Sequence, residues 1–251
     1  MKTSCRFSYV QARVQARFAA LPSAEEWQRL AASRSLAAFL EDARNGPLRP
    51  WVKGFSGQSS SRDLELGVRR LFTEAVEEVA DWVPEPWREA VLWTRWLALL
   101  ALWGHLARGG QAPDWLADEP LLRSLLGERG GIDPVRVEAA GFSLRLSGDD
   151  PLTAWAEHWR GLWPPCKREF LANLDALGAL LAGHMAVFRA ARAESAWGLR
   201  LALRVRLRLL FHRLLLQPAG PLIYLALIGL DLERLRAELV SRALFAPGEA
   251  A

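Results

Sequence analysis

The chain has 251 residues, about half of them apolar, and a formal net charge of +4. A chain of this length and apolar content buries a substantial core, which excludes an intrinsically disordered protein. A charge this small, with acids spread along the chain, does not argue for nucleic acid, and two cysteines are too few for a disulfide framework and hold no zinc spacing.

Leu, Ala, Arg and Glu dominate and β-branched residues are sparse, so composition points to an all-α fold. Lys2, Lys53 and Lys167 are the only lysines. Genome composition accounts for such a bias, although arginine also suits bidentate anion binding. The first residues lack the apolar run of a signal peptide. The uncharged stretch from Leu214 to Leu230 is broken by Pro218, Gly220 and Pro221, so no segment is expected to span a bilayer.

Phe7, Val10, Val14 and Phe18 hold helical spacing and mark a first helix, with Tyr9, Arg13 and Arg17 on the adjacent line. Ser23 and Glu26 form a capping box before a second helix with Trp27 and Leu30. Leu36, Phe39, Leu40 and Ala43 mark a third, stopped by Asn45-Gly46-Pro47, so that helices fill 7–44. Residues 53–62 are rich in Gly and Ser and read as a linker. Leu64, Val68, Leu71, Phe72, Val76 and Val79 then line one wide face of a long helix.

Pro84 ends that helix and starts another, which runs to about Arg108 and contains Gly104-His105-Leu106-Ala107. Residues 109–150 read as loop-rich, with a short helix opened by Asp118-Glu119-Pro120 and another by Asp133-Pro134. Leu152, Trp155, Trp159 and Leu162 mark the next helix. A second Pro-led helix follows from Pro164 to about Arg192 and contains Gly183-His184-Met185-Ala186. Leu203, Leu207, Leu210 and Leu214 favour a helix over 197–216, although the alternating arginines there also fit a strand. A third Pro-led helix starts near Pro218 and ends near Leu244.

The pattern is helix, proline, helix, three times: 62–83 with 84–108, 150–163 with 164–193, and 197–216 with 218–245. One all-α domain over 1–251 is expected, with internal repeats at about 62–108, 150–193 and 197–245. Its architecture would be three pseudo-repeated, Pro-linked helix pairs forming a funnel-like body.

The residues that could carry chemistry point away from catalysis. The four histidines hold no metal-ligand spacing, and repeat-equivalent His105 and His184 read as packing positions rather than a paired site. Asp149-Asp150 precedes an apolar helical run and reads as an N-cap. Gly127, Gly130 and Gly131 read as turns, no serine sits in a nucleophile elbow, and neither thiol has an adjacent base. No catalytic, cofactor or metal residue is assigned. The twelve tryptophans read mainly as packing, with Trp51, Trp87 and Trp115 the candidates for exposed contacts.

Two stretches resemble a known family. Tyr9-Val10-Gln11-Ala12-Arg13-Val14-Gln15-Ala16-Arg17 resembles the N-terminal helix of the C subunit of A/V-type rotary ATPases, called subunit d in the eukaryotic enzyme. Pro221-Leu222-Ile223-Tyr224-Leu225, continuing into Asp231-Leu232-Glu233-Arg234-Leu235-Arg236, resembles that family's C-terminal Pro-led helix, with Arg234 where the family usually has Asn. The resemblance implies a short, non-catalytic central-stalk subunit on the cytoplasmic face of the inner membrane, peripheral to it. Such a subunit couples the soluble shaft to the rotor ring in ATP-driven ion transport, with shaft and ring subunits as partners and no cofactor or nucleic acid. The motif and inter-helix residues are then Tyr9, Arg13, Arg17, Tyr224, Asp231, Glu233 and Arg236. Arg13 and Arg17 are expected to pair with Asp231, Glu233 or Glu238. The alternative is an Arg-rich helical protein that binds anionic membrane or RNA through 197–216; an enzyme with a pocket between repeats is the remaining reading.

Overall fold

The computed structural model describes residues 2–107, 110, 116, 118–127, 133–140 and 151–245. The fold is all-helical, with no strand among the described residues. Trp115, Gly130, Gly131 and the Asp149-Asp150 pair lie outside them.

The N-terminal fifth holds α1 (Lys2–Ala19), α2 (Ala24–Ala31), α3 (Leu36–Arg44) and the single turn α4 (Arg49–Val52). Ser23 caps α2 by accepting from the Glu26 amide, and Ser35 caps α3 in the same way from Ala38. The Gly/Ser linker ends at Ser60, where a reciprocal capping box with Asp63 opens α5 (Ser61–Trp82). Phe55, from that linker, lies against Gly67, where a Cβ would run into its ring. The Phe55 carbonyl accepts from Arg44 at 2.6 Å, so the linker is tied to α3 as well as α5.

Pro84 separates α5 from α6 (Glu85–Leu92). The single helix expected from Pro84 to Arg108 is instead three pieces: α6, a 3₁₀ stretch over Trp93–Leu99, and α7 (Leu100–Ala107). Side chains compete for the backbone there. The Thr94 hydroxyl donates to the Val91 carbonyl at 2.7 Å, and two indoles from α10 (Pro151–Gly161) donate to the carbonyls of Ala90 and Trp93. Carbonyls drawn sideways tighten the turn.

The loop-rich middle contains α8 (Pro120–Arg123) and α9 (Pro134–Ala139), each opened by proline. Three long helices complete the order: α11 (Arg168–Ala190), α12 (Ala193–Arg213) and α13 (Ala219–Leu244). The arginine-alternating stretch is therefore helical, as the leucine spacing predicts.

α13 organises the core. Ala219 to Leu225 are all buried, followed by Leu227, Ile228, Leu232, Leu235 and Leu239. A segment buried on every side lies among other helices, and α13 packs against α1, α3, α5, α11 and α12, most extensively against α5. The first and last long helices thus touch. α5 packs on α6 and α12 on α13, whereas α10 packs against α7 and reaches α11 through the Arg160–Asp175 pair. The two Gly-His positions also differ: Gly104 is buried and His105 exposed, while Gly183 is exposed and His184 half-buried.

Candidate functional site

Where α1 meets the turn before α13, a polar side chain of the N-terminal motif stretch reaches the residues that lead into the C-terminal one. Gln11 follows Phe7 by four residues and precedes Val14 by three, so it falls on the apolar stripe of α1 and is buried. Its Oε1 accepts from the Leu216 amide at 3.0 Å, in the turn that leads into α13. Leu216 adopts a positive φ of 59°, a left-handed conformation costly for a side chain with a Cβ. Next to it, Gln217 accepts from Asn173 of α11 at 2.7 Å. The turn between α12 and α13 is thereby fixed from two other helices.

The arginines of α1 do not reach the acids of α13, contrary to the sequence expectation. Arg17 pairs with Glu78 of α5. Arg13 lies over the rings of Trp82, at 5.2 Å, and Tyr9, at 5.6 Å. α5 runs beside both helices and presents its own side chains to the polar stripe of α1. Tyr9 itself is exposed.

The acids of α13 pair with arginines of α12 and of α13 itself. Asp231 is buried and paired with Arg204 of α12, whose guanidinium also donates to the Pro22 carbonyl at 2.9 Å. Glu233 lies 3.4 Å from Arg200 and 3.6 Å from Arg236. Arg236 donates to Glu65 of α5 at 2.8 Å, and that hydrogen bond raises its pKa. Glu238 binds Arg242, which also donates to the Ser33 carbonyl at 2.8 Å. Arg234 lies between the faces of Trp27 and Trp197, at 4.7 and 4.5 Å. Tyr224 is buried, and burial pushes its phenol pKa upward.

Sequence reasoning passed over Gln11 and Leu216, and read Arg204 as part of a basic surface rather than as the partner of Asp231. Gln11 was legible as a polar residue on an apolar stripe. Arg204 follows from the 3.6-residue period once Leu203 and Leu207 are taken as buried, since it lies on their flank. Nothing in the sequence marks Leu216, because its backbone angle is imposed by the packing of its neighbours.

Tryptophans form a second organised site. Trp93 donates to the Trp155 carbonyl at 3.1 Å, and Trp155 returns a bond to the Trp93 carbonyl at 3.2 Å. Trp159 donates to the Ala90 carbonyl at 3.0 Å, stacks on Trp155 and meets Trp163 edge-on. His158 lies against Trp93 with ring centres 4.1 Å apart, and burial lowers its pKa. Trp87, expected to be exposed, is buried edge-to-face against Phe7, because the α5–α6 bend turns it inward; Trp51 is half-buried.

His184 packs on Phe188, and burial together with Arg200 lowers its pKa. Among the described residues no group of three or more His, Cys, Asp or Glu side chains is placed to hold a metal ion. α11 is long and apolar enough to cross a membrane by length and composition: its most apolar window has a mean hydropathy of 1.4, with 17% of it buried. No family model, curated protein or solved structure matches this chain.

Proposed function

We propose that this chain is a non-catalytic central-stalk subunit of an A/V-type rotary ATPase, seating the soluble shaft on the membrane rotor ring in ATP-driven ion transport. The observation that carries the reading is the junction of the two motif stretches. Gln11, inside the N-terminal motif, holds the turn that starts the C-terminal motif helix, 205 residues away. Stretches that resemble one family at both ends of a chain have reason to be kept together when they form one packed unit.

The mechanics agree with that role. A part that transmits torque needs stiff elements with few low-stability segments along the load path. Here the load path is α13, enclosed by α1, α5, α11 and α12, with buried leucines along its length and ion pairs to α5 and α12 at its edges. In this reading the subunit lies on the cytoplasmic face of the inner membrane and its partners are shaft and ring subunits.

The test is affinity purification of the tagged chain from its own membranes, with its companions identified by mass spectrometry. Nucleotide-binding, shaft and ring subunits in stoichiometric amounts are expected, together with loss of ATP-driven ion pumping when the chain is deleted. Recovery of the chain without those subunits, and unchanged pumping, would reject the assignment.

A further inference from the structure

α12 is apolar on two opposite sides. Leu203, Leu207 and Phe211 face the core and are buried. Trp197, Leu201, Val205 and Leu209 follow one another four residues apart and are between 42% and 61% exposed. Residues four apart advance about 40° around a helix, so Leu201, Val205 and Leu209 form one slanted outward stripe, with Trp197, which also meets Arg234 of α13, at its end. An apolar helix face is ordinarily covered, and the second half of α11, joined to α12 by a short bend, continues the uncovered surface through Met185 and Val187.

Charge decides what covers it. Between Asp175 and Asp231 the chain carries seven arginines and one acid, Glu194. Arg206 and Arg213 lie on one flank of the stripe and Arg208 on the other. Arg192, Arg206 and Arg213 are exposed and form no ion pair among the described residues. Two copies packed through this face would oppose like charges. RNA phosphates would engage the arginines but leave the leucines wet.

We propose that the outward face of α11 and α12 docks on an anionic lipid bilayer. The stripe enters the headgroup–acyl boundary, and the flanking guanidiniums bind lipid phosphates. The arginines stay at the interface while their methylene stems cover the apolar boundary. This contact is independent of the rotary assignment, since it needs no ring or shaft subunit.

The purified full chain is mixed with phosphatidylcholine vesicles, with or without phosphatidylglycerol, and binding is read by flotation. Binding to the phosphatidylglycerol vesicles, weakened by about 0.5 M salt and absent from pure phosphatidylcholine, is expected. L201S/V205S/L209S and R206E/R213E should each weaken it by about tenfold or more. Unchanged melting of both variants would show that the fold is intact, as it should be for outward residues; if the triple variant unfolds, R206E/R213E alone decides the matter. The proposal is overturned if the full chain ignores anionic vesicles, or if both variants bind as well as the parent. It is equally overturned if light scattering shows a dimer that the triple variant disperses, or if the chain binds single-stranded RNA but no vesicle.

Discussion

Asp231 is 2% exposed at its side chain and holds a guanidinium that is 15% exposed. Such a pair contributes little net stability over an apolar pair of similar shape, but removing one partner leaves a buried charge alone. Asp231→Ala should therefore cost about 3–5 kcal/mol, whereas Asp231→Leu combined with Arg204→Met should recover most of that loss. Urea denaturation of the three proteins measures both. His158 supplies the pH response at this scale. Burial lowers its folded pKa below the ordinary value, so the unfolded chain takes up the proton first as pH falls. Stability is then full above about pH 6.5 and declines as the pH drops from there towards the depressed folded value. His158→Gln should flatten the fall in melting temperature between neutral and mildly acidic pH. Part of the slope should survive, because His184 is lowered in the same direction.

At the scale of elements, the 3₁₀ stretch and α10 hold each other through indole-to-carbonyl bonds in both directions. Each of the two tryptophans buries a large ring and satisfies its indole nitrogen at the other's backbone carbonyl. Trp155→Phe keeps most of the ring packing and removes one donor, for an expected loss of about 1–2 kcal/mol in chemical denaturation. If the indole bond were incidental, that substitution would leave stability unchanged. The same clasp explains why periodicity alone misjudged this region. A continuous apolar run from Pro84 predicts a continuous helix, but the carbonyls of Ala90, Val91 and Trp93 accept side-chain donors from Thr94, Trp155 and Trp159. The two indole donors lie more than 60 residues away in sequence, beyond the reach of local pattern.

Across the whole molecule, the first helix and the turn before the last are joined at Gln11 and Leu216. Gln11→Ala would leave the Leu216 amide without its partner in a half-buried turn, at an expected cost of about 1–3 kcal/mol. Leu216→Gly would relieve the left-handed backbone strain by about 1 kcal/mol while keeping the amide. Opposite signs for the two substitutions in thermal melts would show that α1 imposes the turn; a destabilising Leu216→Gly would place the stabilisation in its side chain instead. Helix class, the capping serines, the proline breaks and the helical state of the arginine-alternating stretch were determined by the sequence itself. Each depends on interactions within about four residues, which spacing records directly. Tertiary structure alone decided which arginine met which acid, why the Pro84 helix broke, and that α12 is apolar on the side turned away from the core. Those outcomes depend on which helices become neighbours, and a neighbour many residues distant leaves no mark on local periodicity.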